Sequence, residues 1–229
     1  MPKRTSTDHF IRREFSVTEA DATTTHSHRR PRTRFDSQKE NIFLVGLRGS
    51  GKSTLGQALA ERLGLQLVDT DAEVVARSNA SISDLVAEKG WEGFRRIEHE
   101  VLVSVCQQAG QVVATGGGIV LLPQNRDLLA QHGQVFYLMA DLPLLGDRLR
   151  QDPQQTNRPA LGTAPPEEEL RVTFQEREPL YFQVMNHILR ADKPVDGLVQ
   201  DAVMALGLSA WEAEEEHLSD PGQEGSRDD

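Results

Sequence analysis

The run Gly46-Leu47-Arg48-Gly49-Ser50-Gly51-Lys52-Ser53 has the spacing G-x-x-x-x-G-K-[ST], which suits phosphate chemistry. Glycines at these positions let the backbone turn tightly enough for its N–H groups to converge on phosphate oxygens. Lys52 brings positive charge to the β- and γ-phosphates, and the Ser53 hydroxyl is placed to ligate Mg²⁺. A helix opening here adds the positive end of its dipole. The pattern points to a bound nucleoside triphosphate and leaves the acceptor open.

Four further groups of residues could act with it. In Asp69-Thr70-Asp71, one carboxylate could hold a metal's waters while the other orients an attacking hydroxyl. The same pattern also serves as turn chemistry or a helix cap. In Phe94-Arg95-Arg96-Ile97-Glu98, an Arg fork could clamp a substrate carboxylate with Glu98 as its orienter. Equally, this spacing describes an ordinary exposed i,i+3 ion pair. Thr115-Gly116-Gly117-Gly118 permits close backbone approach to a ligand, or is a flexible loop. Finally, 152–166 holds four prolines, Gly162 and the lone Arg158. A stretch of this length inside a domain is a functional lid or disordered. A lid delivering one Arg suits phosphoryl transfer.

The elements that must carry these residues alternate. Short apolar runs at Ile42–Val45, Leu65–Val68, Gln111–Ala114, Gln134–Met139 and His187–Leu189 predict strands. Leu55, Leu59 and Leu63 recur at helical spacing and stop at Gly64. Further helices are predicted over about 81–108 (interrupted near Gly90), over Leu170–Met185 and over Leu198–Leu206. Strands this short and apolar, separated by helices, predict a three-layer α/β/α fold around a five-stranded parallel sheet. The phosphate loop, the Asp pair and the Gly-rich turn then all follow strands, at the sheet's carboxyl edge, where ligands bind.

Composition sets the frame. The 229 residues carry a formal charge of -10 and one Cys, with no apolar run near the ~20 residues of a membrane span. A disulfide framework and a transmembrane protein are excluded, and a cytoplasmic chain without membrane or general nucleic-acid partners is expected. The charge is uneven: residues 1–40 are net +3, 41–211 net -6 and 212–229 net -7. The first segment is too poor in apolar residues to offset its ordering entropy. It is expected to be a disordered extension, with the acidic end a disordered tail and one domain over 41–211. Cys106 lies in an apolar stripe and is expected to pack rather than react. Phe94 and Trp91 could wall a pocket or pack the helix. The seven His show no metal-ligand spacing.

Taken in order, Gly46–Thr54, Val68-Asp69-Thr70-Asp71, Gly93-Phe94-Arg95 with Glu98, Thr115–Gly118, Asn157-Arg158-Pro159 and Arg177-Glu178-Pro179-Leu180-Tyr181 resemble shikimate kinase. This is a P-loop family related to the nucleoside monophosphate kinases, and the resemblance covers about 41–206. It implies ATP-dependent phosphorylation of the 3-hydroxyl of shikimate, in the chorismate route to aromatic amino acids, by a monomer. It also implies that Gly49, Ser50, Gly51, Lys52, Ser53 and Thr54 hold the ATP phosphates. Mg²⁺ would sit on Ser53 and, through water, on Asp69. Asp71 and Gly117 would face the shikimate hydroxyls, and Arg95 and Arg177 its carboxylate. Arg158 would swing in with the lid, and Lys193 and Pro194 would line the adenine. The implied catalytic set is Lys52, Asp71 and Arg158. Two departures are Ala160, where many members carry a larger residue, and the two terminal segments.

Two other functions compete. A kinase of the same fold acting on gluconate would share the loop but lack the Arg95/Arg177 pair and the Gly-rich turn. A non-catalytic regulatory sensor could use the basic arm on DNA, but the arm holds no helix-turn-helix pattern.

Overall fold

The structure is a computed structural model and describes residues 34–151 and 165–208. It contains a five-stranded parallel sheet in the order β2-β3-β1-β4-β5. The strands are β1 (Asn41–Val45), β2 (Gln66–Asp69), β3 (Gln111–Ala114), β4 (Gly133–Met139) and β5 (His187–Arg190). Every residue of β1 and β3 is buried, as expected of central strands covered on both faces. In register, Leu44 lies between Ala114 and Phe136. Phe43, Leu44, Phe136 and Tyr137 form the centre of the core with Leu59, Leu102 and Leu129.

The helices are α1 (Lys52–Leu63), α2 (Thr70–Ser78), α3 (Ile82–Val105), α4 (Pro123–His132), α5 (Leu142–Gln151), α6 (Pro166–Val184) and α7 (Val195–Ala205). A 3₁₀ turn at Ile119–Leu121 follows the Gly-rich turn. α1 packs on α7, while α4 packs against α3 and α6. The doubly covered parallel sheet agrees with the sequence pattern. Gly90, at φ 67° and ψ 174°, interrupts α3 where a break was expected. α3 ends at Val105 rather than 108, and α6 starts at Pro166 rather than 170, because Pro is favoured in a first helical turn.

The chain leaves β1 toward β2 on one side, while β4 lies on the other. This reversal opens a crevice at the carboxyl ends of β1 and β3, the topological switch point. The phosphate loop and the Gly-rich turn both rise into it.

The domain starts before the boundary expected at 41. Phe35 is buried, and its N–H donates to the Leu206 carbonyl at 3.0 Å. Residues 35–40 therefore belong to the packed body, because an aromatic ring among them has a place in the core. Residues 1–33, 152–164 and 209–229 lie outside the described residues, and with them most of the expected lid, the tail and Arg158.

Candidate active site

The phosphate loop links β1 to α1 through backbone that only glycine adopts readily. Gly49 and Gly51 have φ of 79° and 96°. Lys52, the first residue of α1, folds back over the loop, its Nζ donating to the Leu47 carbonyl at 2.8 Å and lying 3.5 Å from Ser50 Oγ. Arg148 of α5 holds the loop from outside. Its Nη1 donates to the carbonyls of Gly49 and Ser50, both at 3.3 Å, and its Nη2 to that of Ala191 at 2.8 Å.

Asp69 ends β2 and caps α2, which is the helix-cap role left open for it from sequence. Oδ1 accepts from the N–H groups of Asp71 and Ala72, at 3.0 and 3.3 Å. Oδ2 accepts from Ser53 Oγ at 2.9 Å. Two hard oxygen donors thus meet at the first turn of α1. Mg²⁺ keeps several waters and takes few protein ligands beside substrate phosphates, and this pair fits it.

On the other side of Gly117 lies a denser arrangement of charge. Arg95 Nη1 donates to Glu98 Oε2 at 2.7 Å, with side chains only 12% and 1% exposed. The pair has the i,i+3 spacing of a surface ion pair but is buried. Arg95 also lies over the rings of Trp91 and Phe94, 5.4 and 5.2 Å from their centroids. Phe94 is both buried and part of the cavity wall, so it packs and lines at once. Glu98 Oε1 is buried with no hydrogen-bond partner. Burial raises the Glu98 carboxyl above its ordinary range, Asp71 adds to this, and Arg95 and Arg177 oppose it.

Arg177 of α6 is buried, and its Nε has no hydrogen-bond partner. Burial lowers its pKa, and the neighbouring positive charge of Arg95 acts in the same direction. Two guanidinium groups that disfavour one another in a closed space favour an anion between them.

The Gly-rich turn separates these halves. A Cβ on Gly116 would lie 2.5 Å from Asp71 Oδ1 and 2.8 Å from Glu98 Oε1, so both carboxylates converge on that point. The Gly116 N–H donates to Thr70 Oγ1 at 2.9 Å. The turn is not a loose loop: Asn125, fully buried, donates to the Ile119 carbonyl at 2.9 Å and pairs with His99 at 2.6 Å.

Two cavities result. One, of about 590 Å³, runs along residues 48–55 with Asp69, Asp71, Arg148, Lys193 and Val195. The other, of about 280 Å³, is walled by Ile82, Trp91, Phe94, Arg95, Glu98, Leu170 and Arg177. They share Arg48, Asp71, Gly117 and Leu149. Every described residue in the expected site therefore lines one cleft, except Pro194. It sits at the N-cap of α7 between lining residues Lys193 and Val195 and is not itself in the wall. Cys106 lies apart, its thiol pushed up to about 11 by burial, which agrees with a packing role. Arg148 and Thr70 escaped the sequence analysis. Arg148 carries no motif spacing, and Thr70 carries no signal of its own between two acids.

The shikimate kinase family model matches residues 48–206. The chain is 42% identical over 167 residues to "Shikimate kinase 2" of Yersinia enterocolitica, spanning 73% of this chain and 95% of that protein. It is 41% identical to the shikimate kinase of Nitratidesulfovibrio vulgaris over 168 residues, 73% and 96% of the two chains. Among solved structures, shikimate kinase from Acinetobacter baumannii in complex with shikimate superposes with a TM-score of 0.66 at 32% identity. That likeness covers 78% of this chain and 96% of the other. With the match running from the phosphate loop into the last helix, the chain belongs to the shikimate kinase family.

Proposed function

We propose that this chain transfers the γ-phosphoryl group of ATP to the 3-hydroxyl of shikimate, giving shikimate 3-phosphate and ADP. The observation that carries this reading is the single cleft. A phosphate loop fills one half, the buried guanidinium of Arg177, the part-buried one of Arg95 and Asp71 fill the other, and Gly117 stands at the junction. Each half matches one substrate: a polyphosphate, and a small carboxylate bearing hydroxyls. We take the chain to act as a monomer in the cytoplasm; for the compartment, its single Cys supports this reading. Among the described residues no helix is long and apolar enough to cross a membrane.

Phosphoryl transfer needs positioning and charge neutralisation more than covalent help. The N–H groups of 49–54 cradle the phosphates. Lys52 exchanges its carbonyl partner at Leu47 for the β- and γ-oxygens. Ser53 and, through water, Asp69 would hold Mg²⁺, which supplies charge neutralisation at those oxygens when bound. Arg95 and Arg177 take the shikimate carboxylate, and this fixes the ring. Asp71, which lines both cavities, orients the attacking hydroxyl and accepts its proton. Arg158 completes the cation set at the phosphates, and Lys193 and Pro194 border the adenine.

Product identity tests the reading. ³¹P NMR of the product should show one phosphomonoester coupled to the proton on C3 of shikimate. Phosphate on another hydroxyl would overturn the assigned orientation.

A further inference from the structure

We propose that Tyr181 is a positioning residue for the acceptor half of the cleft, acting through the carbonyl of Gly117. The proposal rests on the shikimate-phosphorylating reading above. Tyr181 lies on α6 one turn beyond Arg177, a spacing that puts both on one helix face. It is fully buried, and its ring stacks on Tyr137 of β4 with centroids 5.0 Å apart and planes at 22°. Its hydroxyl donates to the Gly117 carbonyl at 2.6 Å, between residues 64 apart in sequence.

A core tyrosine could place its hydroxyl against many acceptors. This one takes a carbonyl of the residue that lines both cavities. A peptide unit is planar, so fixing the Gly117 C=O also fixes the Gly118 N–H, pointing the opposite way. The turn is closed by the Ile119 N–H donating to the Gly116 carbonyl at 3.1 Å, but its central peptide lies between two glycines, and that is the unit that could still flip. A Cβ on Gly117 would lie 3.8 Å from Arg177 Nη1, so the pinned peptide and the carboxylate clamp are neighbours. One helix therefore carries both the guanidinium for the substrate anion and the hydroxyl that sets the turn facing it. Burial holds the Tyr181 hydroxyl above its ordinary range, with Tyr137 adding, while the charge of Arg177, its hydrogen bond to the hydroxyl and the charge of Arg95 oppose, so the one hydroxyl joins the clamp to the turn. It remains a donor at working pH.

Tyr181→Phe keeps the ring and removes the donor. In the full chain, the KM for shikimate should rise about tenfold, with the KM for ATP within about twofold. Thermal stabilisation by added shikimate should shrink while that by ADP persists. Tyr137→Phe, which removes the other hydroxyl of the stack, should leave both KM values unchanged. A lower Tm with an unchanged shikimate KM would make Tyr181 a plain core residue and overturn the proposal. Hydrogen exchange compares the two chains directly. Peptides over 115–121 should exchange faster in Tyr181→Phe than in the wild type, and identical exchange would also overturn the tether. A wild-type chain that did not phosphorylate shikimate would remove the functional reading and this proposal together. An active wild type with an unaltered Tyr181→Phe would remove the tether alone.

Discussion

A Cβ placed on Gly118 falls inside the guanidinium of Arg95. The backbone at Gly118 has φ -98°, open to any residue, so the glycine is required by the approach of Arg95 and not by its own conformation. The turn and the clamp share one volume.

Gly118→Ala should therefore fold and displace Arg95. A shift of about 1 Å in a positioning group costs up to about 10²-fold, so the KM for shikimate should rise roughly 10- to 100-fold. The KM for ATP should stay within about twofold, since the phosphate loop lies beyond Gly117. Steady-state kinetics with each substrate varied in turn checks this. Equal rises in both would place the Arg95 half elsewhere.

Asp69 has one oxygen on the α2 N-terminus and the other facing Ser53. Asn caps helices about as well as Asp but carries no charge for a cation. Asp69→Asn should leave Tm within about 2 °C and raise the Mg²⁺ concentration for half-maximal activity about tenfold. Titrating Mg²⁺ at fixed ATP measures it. A large fall in Tm with unchanged Mg²⁺ dependence would reduce Asp69 to a cap.

Glu98 gives a prediction in pH. Its carboxyl is raised above the ordinary 4.5 by burial first, with Asp71 adding and Arg95 and Arg177 opposing. A carboxyl raised in the folded state binds more protons there than in the unfolded chain between the two pKa values. Its contribution to stability therefore falls as pH rises from about 4.5 through the folded value. Glu98→Gln removes this titration. The Tm of the variant relative to wild type should climb as pH rises above about 4.5. A constant difference would mean that Glu98 ionises normally.

The domain edge can be tested by truncation. Removing 1–33 should leave Tm unchanged, whereas removing 1–40 deletes the buried Phe35 and its bond to Leu206. That ring contributes about 2 kcal/mol, or roughly 4–8 °C. Thermal melts of the two truncated chains decide it.

Much of this molecule could be read before its fold was known. β1 and β3 are uninterrupted apolar runs, and the phosphate loop is a local device whose glycines and Lys52 lie within eight residues. Elements defined by tertiary contact were less visible. α4 shows only Leu128, Leu129 and Ala130 as apolar signals, and its buried Asn125 depends on Ile119 and His99. α5 is short and carries Gly146 in its interior, which weakens the local helix signal, although Pro143 suits its first turn. Arg95 and Glu98 have the spacing of any exposed pair, and only packing against the turn and α6 buries them. The Tyr181 bond to Gly117 joins segments that sequence spacing cannot relate.

ADP release from ATP by the full-length chain, with shikimate or gluconate as acceptor, tests the central claim most directly. Shikimate should stimulate release by at least about 10²-fold over the acceptor-free rate, and gluconate should leave it near that rate. Equal stimulation by both, or none by shikimate, would contradict the assignment of Arg95, Arg177 and Asp71 to the shikimate half of the cleft.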